Sequence, residues 1–454
     1  MHHYNCYRPS PVWKWHLLVH VCQRWRQIVL DSPHRLNLQI LCTYRTPVRE
    51  NLGIWPAFPI VLDLYPLGHL TSNDEDNAIA ALEHSDRVCS VRLHVTSSQW
   101  KNMAPVVTSK PFPILTHLEI HSTDGNAPVL PGGFLGGSAP LLQDIYLHGI
   151  PFPALPTLLL SSNDLVNLGL FDISPTGYIS PEAMVACLVV SSNLETFTIE
   201  FQQATPHPNI IFPLPTTRGI LPALASFRFR GAYKYLEVLV AQIDSPQLNR
   251  IFVDYLDQPE RFQVTQLSDF IDRSIGAELA PSRRAHVDFH CDRVVFTLYR
   301  RADYSGRNRR SINITIASET LDWQFPNITQ LLSQFSTLCT VIYLELEAHV
   351  EDSRLATSSM DVEWLEFFRQ FPAMQILDVS GFLPTLVAHA LEDITTEMVP
   401  EAFPSLRLIF LEDELSSSVE TLIAARRLSD RPVTFVETKA EFKKILKSYM
   451  TVSG

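Results

Sequence analysis

A short apolar pattern that recurs along the chain constrains its fold more than any other feature. The pattern has the form L-x-x-L-x-L, in which aliphatic or aromatic residues replace some leucines. Its central apolar residues are Val91, Leu118, Ile145, Leu168, Phe197, Phe227, Ile251, Leu344, Leu377 and Ile409. Successive copies lie 23 to 33 residues apart, except for one step of 93 residues between Ile251 and Leu344. A recurring unit of this length predicts a repeat array.

The spacing is at or near the ~20–29-residue period of leucine-rich repeats. In a strand, the last two apolar residues of each copy share one face and the residue between them lies on the other. We therefore expect an α/β leucine-rich-repeat solenoid, or horseshoe, with this intervening residue on its concave surface. Apolar return segments predict convex helices at Leu158–Leu160, Met184–Val190 and Phe270–Ile271. A doubly wound α/β domain would share the alternation but not the recurring frame.

The long step leaves room for about three more units, with candidate strands at Val294–Leu298 and Ile312–Ile316. Upstream of the array, the apolar blocks at 38–41 and 60–64 indicate short buried strands. Prolines precede several copies of the pattern, as expected where loops end the preceding helices.

The intervening residues define a candidate binding surface of varied chemistry, as a protein-binding face would allow. They are Arg92, Glu119, Tyr146, Gly169, Thr198, Arg228, Phe252, Glu345, Asp378 and Phe410. A second candidate is the arginine-rich segment Tyr299–Ser311, which contains Arg300, Arg301, Arg307, Arg309 and Arg310. Arginine pairs bidentately with phosphate and carboxylate, so this segment is a candidate contact for a phosphorylated or acidic partner. The alternative that we favour is a solvated insertion.

Charge and cysteine usage narrow the function classes. The 454-residue chain has a net charge of −12, which disfavours nucleic-acid binding through bulk attraction. Seven cysteines occur singly, without a C-x-x-C pair, which indicates free thiols in a reducing compartment. The apolar runs are too short to span a bilayer, and the N-terminus lacks the pattern of a signal peptide. We expect an intracellular protein, cytoplasmic or nuclear, without a membrane partner.

Near the N-terminus, the stretch from Trp15 to Leu38 predicts an amphipathic helix. Leu18, Cys22, Trp25 and Val29 recur at helical spacing, and Asp31-Ser32-Pro33 ends the pattern. The sequence motif L-V-x-V-C-x-R-W-R-x-I-V-L-x-S-P resembles the second half of the F-box-like domain in a large family of mushroom-type fungal proteins. In that family the F-box precedes leucine-rich repeats.

Four further segments carry the same resemblance, which covers roughly residues 13–436. They are R-T-P-V-R-E-x-L-x-I-W-P-x-x-P-I-V at 45–61, Leu321–Gln324 with Ile328–Gln330, Trp364–Phe368, and Leu422–Leu428 ahead of Arg431–Val433. One family feature is missing: residues 1–14 do not contain the L-P-x-E-[IL]-L-x-x-[IV]-F pattern of a first F-box helix. This departure concerns part of the surface that binds the adaptor.

The resemblance implies a substrate-recognition subunit of a Skp–cullin–F-box ubiquitin ligase, without enzymatic activity or cofactor of its own. The Skp-type adaptor would bind Leu18, Cys22, Trp25 and Val29, and an unknown protein substrate would bind the repeat face. The domains implied are an irregular N-terminus (1–14), an F-box-like helical remnant (15–45), a linker and first repeat or cap (46–85), the solenoid (86–436) and a C-terminal helix or tail (437–454). The alternative is a leucine-rich-repeat scaffold that acts outside any ligase.

One cluster raises the question of catalysis. His286, Asp288 and His290 fall on the same face of a possible strand, with a spacing that a metal site can use. Cys291 and His290 resemble a nucleophile and base, but adjacent strand residues point to opposite faces. We interpret the cluster as the polar face of a repeat strand, and assign no metal or catalytic residue. A metal-dependent or cysteine hydrolase around these four residues remains the less favoured alternative.

Overall fold

In the computed structural model, the described residues form an α/β protein built largely from parallel strands. The described residues are 20–31, 38–43, 48–54, 57–65, 71–124, 129–204, 217–257, 263–275, 284–299, 311–317, 321–349, 361–384, 386–388, 403–412, 423, 432–436 and 438–452. The chain divides into two compact units. Unit 1 comprises Met1–Gln202 and Gly219–Leu224, and unit 2 comprises Gln203–Arg218 and Ala225–Gly454.

Unit 1 alternates strands with short helices. Its strands are β1 (Ile40–Thr43), β2 (Ile60–Leu64), β3 (Val88–Val95), β4 (His117–Ser122), β5 (Asp144–His148), β6 (Asn167–Ile173), β7 (Thr196–Phe201) and β8 (Gly219–Ile220). Its α-helices are α1 (Gln23–Asp31), α2 (Val48–Ile54), α3 (Ser72–Leu82), α4 (Ser97–Ser109), α5 (Leu155–Leu159) and α6 (Pro181–Leu188), with 3-10 turns at Phe134–Gly137 and Pro175–Gly177.

Strands β1 to β7 pair in chain order, and every pairing is parallel. Parallel neighbours need crossover connections, and here helices and turns supply them. Helices α3 and α4 begin at capping boxes, in which the Thr71 and Thr96 hydroxyls accept backbone N–H groups of Asp74 and Gln99. The buried apolar residues of these strands form the core.

Unit 2 contains a second strand set. Its strands are β9 (Ser226–Gly231), β10 (Ile243–Asp244), β11 (Arg250–Tyr255), β12 (Arg284–Phe289), β13 (Arg293–Tyr299), β14 (Ser311–Ala317), β15 (Tyr343–Ala348), β16 (Ile376–Gly381), β17 (Leu408–Leu411) and β18 (Thr434–Val436). Its α-helices are α7 (Tyr233–Ala241), α8 (Thr265–Ile275), α9 (Leu321–Leu332), α10 (Asp361–Arg369) and α11 (Lys439–Val452), with a 3-10 turn at Ser336–Thr340.

The 93-residue step in the repeat pattern contains three strands, but they do not form three regular units. The strand order in this part of unit 2 is β11-β14-β13-β12-β15, and β13 runs antiparallel to both of its neighbours. Only three residues separate Phe289 from Arg293. A connection this short permits a hairpin and excludes a parallel crossover.

The recurring pattern correctly locates ten of the other described strands. All ten of its central apolar residues lie in strands and are buried. The return segments predicted as helices fall in α5, α6 and α8. Among the described residues, α1 begins at Gln23, so Cys22 precedes the helix in which it was expected. No helix in the described ranges has both the length and the apolar character needed to cross a bilayer.

Candidate functional site

The intervening residues of the repeat pattern form an in-register row across unit 1. Asp63, Arg92, Glu119, Tyr146 and Gly169 lie opposite one another in successive strands from β2 to β6. The row continues to Thr198 in β7. Its first four side chains are half-buried, on the face opposite the apolar core. We call this surface the polar face of unit 1.

An arginine neutralises the carboxylates at the centre of this face. Arg92 Nε donates to Glu119 Oε2 at 2.9 Å, and its Nη1 lies 3.8 Å from Asp63 Oδ2. His121 Nε2 lies 2.9 Å from Glu119 Oε1, and His117 Nε2 lies 3.6 Å from Glu119 Oε2. Burial alone would raise the pKa of Glu119, but hydrogen bonds from the two histidines and the charge of Arg92 hold this pKa well below its usual range.

A ladder of aromatic rings runs along one edge of the same face. Its members are Tyr65, His94, His121, His148 and Phe171, and successive ring centroids lie 3.8, 4.4, 3.7 and 4.2 Å apart. The four residues from His94 to Phe171 are strand-to-strand partners in β3 to β6. The ladder is therefore produced by the parallel register, one ring per strand.

Gly169 leaves room for the rings at the end of this ladder. A Cβ atom at this position would lie 2.6 Å from the Phe171 ring and 2.7 Å from the Tyr146 ring. Both separations are shorter than van der Waals contact, so the glycine permits the two rings to approach the strand.

Packing within the ladder keeps two of its histidines uncharged. The pKa of His148 is lowered to about 3, mainly by burial and in part by the neighbouring His121. Burial together with His121 likewise lowers the pKa of His94 to about 4. Protonation of either ring would place a positive charge in a half-buried stack of imidazoles, where like charges repel. The His94 and His148 rings are therefore neutral at neutral pH.

A corresponding row crosses unit 2. Its members, in strand order from β9 to β17, are Arg228, Phe252, Asn313, Thr297, His286, Glu345, Asp378 and Phe410. The first six are half-buried, whereas Asp378 and Phe410 are buried. Five of the expected surface residues, namely Arg228, Phe252, Glu345, Asp378 and Phe410, thus share one row with three residues that the repeat pattern did not mark.

The C-terminal helix α11 packs on the end of this row. Phe442 stacks on Phe410 with ring centroids 5.0 Å apart and contacts Tyr343 at 6.3 Å. The Tyr343 hydroxyl donates to Asp378 Oδ2 at 2.6 Å. Burial raises the pKa of Asp378 to about 6, even though this hydrogen bond acts in the opposite direction. Asp378 and Phe410 therefore have a packing role in unit 2.

A histidine–carboxylate cluster lies at the ends of β12 and β15. His290 Nε2 is 2.9 Å from Asp288 Oδ2, and His349 Nε2 is 3.3 Å from Asp288 Oδ1. Glu347 lies 3.7 Å from His349 and 3.6 Å from His286. His286 thus contacts Glu347 and is not one of the two residues that converge on Asp288. The adjacent Cys291 is exposed.

The helix expected to bind an adaptor exposes apolar side chains. Val21 is 63%, Trp25 48% and Ile28 50% exposed, and Cys22 is also exposed. Leu18, the Val29 side chain and the five arginines Arg300, Arg301, Arg307, Arg309 and Arg310 lie outside the described residues.

Several residues of these clusters were not singled out from the sequence. His94, His121 and His148 recur every 27 residues, and each lies two positions after a residue of the polar row. This period could have been recognised in the sequence. His349 had no such signal, because its proximity to Asp288 depends on β15 pairing with β12.

Comparison with known proteins adds no relative. A scan against protein-family models finds no match to this chain, and a search of curated proteins finds no significant match.

Proposed function

We propose that this chain is a leucine-rich-repeat recognition protein that binds a protein partner through the polar faces of its repeats. The observation that carries the proposal is the in-register row of half-buried side chains in each unit. These rows offer charge, aromatic surface and hydrogen-bonding groups across many parallel strands. Such a broad and chemically varied surface suits a macromolecule.

The repeat solenoid is part of the same proposal. It is supported by the recurring frame, by the parallel pairing of β1 to β7 in chain order and by helices or turns on the return segments. A solenoid presents one residue per strand to its concave surface, which is the arrangement of the two rows. The antiparallel strand β13 would be a local departure from this plan.

In its finer form, the proposal makes the chain the substrate receptor of a Skp–cullin–F-box ubiquitin ligase in the cytoplasm or nucleus. Two observations support the ligase role: the F-box-like sequence at 15–45, and the exposed apolar residues Val21, Trp25 and Ile28 around α1. Apolar side chains exposed together mark surfaces that bind other proteins. The ligase would supply the chemistry, and this chain would supply recognition.

The second candidate is a recognition scaffold outside any ligase. It is favoured by the in-register rows, which occur in both units and need no contribution from the N-terminal helix. Both candidates use the same polar faces, and they differ only in whether the N-terminal helix binds a Skp-type adaptor.

Co-purification with a Skp-type adaptor separates the two candidates. Trp25→Asp places a charge on the exposed apolar face of α1, and we expect it to weaken adaptor binding by about 100-fold, as for an aromatic interface anchor. Trp323→Asp is the matched control, because Trp323 is also exposed, at 61%, but lies in α9. Adaptor binding by the wild type and Trp323→Asp, and not by Trp25→Asp, supports the ligase receptor.

The opposite result is equally informative. If the folded wild-type chain does not bind the adaptor, or if both tryptophan variants bind it equally well, the ligase role is rejected. The recognition scaffold is then the better account of the polar faces.

A further inference from the structure

Two clusters in the described residues bring imidazoles and carboxylates close enough to share a metal ion. They are Glu119, His121 and His148 in unit 1, and Asp288, His290 and His349 in unit 2. In each, one ligand atom per residue lies within 4.8 Å of the others. Proximity alone does not distinguish the clusters, but ring spacing and charge do.

The unit 1 cluster is poorly arranged for a metal. A metal bound through an imidazole nitrogen lies in the plane of that ring. The His121 and His148 rings are stacked face to face, with centroids 3.7 Å apart and planes only 10° from parallel, so a metal in the plane of one ring would lie well out of the plane of the other. Glu119 also has Arg92 as a charged partner at 2.9 Å. A metal there would have to break the stack and compete with a guanidinium.

The unit 2 cluster has more widely spaced rings. Asp288 contacts both imidazoles, with one carboxylate oxygen 2.9 Å from His290 Nε2 and the other 3.3 Å from His349 Nε2. Ligands at about 2.0–2.1 Å from a tetrahedral zinc ion lie roughly 3.3 Å from one another. The two observed separations are close to this value. The His290 and His349 rings are also stacked, 26° from parallel, but their centroids are 5.1 Å apart, against 3.7 Å in the unit 1 pair.

The charges of the unit 2 cluster also favour a cation. In the described part of unit 2, the ion-pair partners of Asp288 and Glu347 are histidines alone: His290 and His349 for Asp288, His286 and His349 for Glu347. No lysine or arginine side chain described in the structure lies within ion-pair distance of either carboxylate. A divalent cation would neutralise both negative charges.

The backbone holds the two histidines in place. His290 follows β12, where its N–H donates to the Arg293 carbonyl at 2.9 Å and its carbonyl accepts from Gln324 Nε2 at 2.8 Å. The His349 N–H donates to the Phe289 carbonyl at 3.1 Å, which extends the pairing of β15 with β12. The positions of the ligands therefore depend on ordered strands and a buried glutamine.

We propose that Asp288, His290 and His349 bind a divalent first-row transition metal ion of the zinc type. Two imidazole nitrogens and a carboxylate oxygen are the ligand set that such ions prefer, and three protein ligands leave a coordination position for water or another ligand. His349 is half-exposed, so that position is accessible from solvent. The site is independent of the proposed recognition function and would add a metal to the polar face of unit 2.

The test is a zinc titration of the full-length chain, freed of any polyhistidine tag and treated with chelator. Wild-type protein is expected to bind one equivalent of Zn²⁺, measured by competition with a chromophoric chelator. Asp288→Asn and His349→Gln are each expected to weaken binding by at least about 100-fold, because each removes a direct ligand. Co²⁺ absorption of the wild type provides a spectroscopic check of nitrogen and oxygen ligation.

The matched controls are His121→Gln and His148→Gln in unit 1, with circular dichroism to verify that all variants fold. Both controls are expected to bind Zn²⁺ as the wild type does. Three results would overturn the proposal: no stoichiometric binding by the wild type, unchanged affinity in Asp288→Asn and His349→Gln, or loss of binding in the unit 1 variants instead.

Discussion

The two histidine clusters use the same residue types at the ends of parallel strands, yet their geometries differ. In unit 1, three imidazoles stack with their neighbours and Arg92 neutralises Glu119. In unit 2, Asp288 lies between His290 and His349, and its ion-pair partners among the described residues are imidazoles alone. Neighbouring strands, more than residue type, therefore decide the geometry of such a cluster.

The difference follows from register. Four successive strands of unit 1, together with Tyr65 just after β2, place an aromatic ring at one level, so each histidine has a ring on either side. In unit 2 the antiparallel strand β13 is a neighbour of β12, and its residues at this end do not continue a ring ladder. His290 and His349, which follow β12 and β15, both contact Asp288 instead.

Removal of the unit 1 arginine should have the largest effect on stability. Arg92→Leu leaves Glu119 and Asp63 half-buried without their guanidinium partner. We expect a loss of about 2–3 kcal/mol in the free energy of unfolding, measured by urea denaturation. Arg92→Lys, which keeps the charge, should lose less.

Asp288→Asn in metal-free protein should change the free energy of unfolding by under about 1 kcal/mol, since no described guanidinium pairs with Asp288. Equal losses in Arg92→Leu and Asp288→Asn would contradict the difference between the two clusters.

The ladder predicts a loss of stability in acid. The pKa of His148 is lowered to about 3 in the folded chain, below its ordinary value of 6.5. The unfolded chain therefore binds the proton more tightly between these values, and stability falls as pH falls through this window. We expect His148→Phe, which retains a stacking ring but cannot be protonated, to remove about 1–2 kcal/mol of the wild-type loss between pH 7 and 5. If the free energy of unfolding changed equally in the two proteins between pH 7 and 5, the lowered pKa of His148 would be refuted.

Asp378 in unit 2 predicts a smaller effect with the opposite sign. Burial raises its pKa to about 6, above its ordinary value of 3.8. The folded chain binds this proton more tightly, so the contribution of Asp378 to stability is lost as pH rises from 3.8 through 6. Asp378→Asn keeps an acceptor for the Tyr343 hydroxyl and should remove about 1 kcal/mol of the loss between pH 5 and pH 7. Chemical denaturation at these two pH values measures it, and an unchanged pH dependence would contradict the raised pKa of Asp378.

Many of the strands could be predicted from the sequence, because the frame L-x-x-L-x-L combines two features. Its apolar residues alternate as in a strand, and the frame recurs at a nearly regular spacing along the chain. It located buried strands such as β4 and β5, and it placed Glu119 and Tyr146 in the same row. The hairpin of β12 and β13 could not be read in this way, because its direction follows from the short Phe289–Arg293 connection and not from the apolar pattern. The helix α1 begins later than the apolar spacing indicated, at Gln23.

The clusters were predictable to different degrees. The motif His286-Val-Asp288-Phe-His290 marked one strand of the unit 2 cluster, but it could not supply His349 from another strand, and it included His286, which contacts Glu347. The ladder histidines carry the repeat period in the sequence, whereas their stacking depends on the spacing of parallel strands. The apolar pattern of the sequence thus predicts which face of the sheet a side chain occupies, and the register of strand pairing decides which side chains lie beside it.

The proposed metal site in unit 2 and the self-contained ladder in unit 1 both follow from strand register. Anomalous diffraction at the zinc absorption edge, from crystals of the full-length chain grown with Zn²⁺, tests both at once. We expect an anomalous peak within bonding distance of Asp288, His290 and His349, and none among Glu119, His121 and His148. No peak at Asp288, or a peak in the unit 1 ladder, would contradict it.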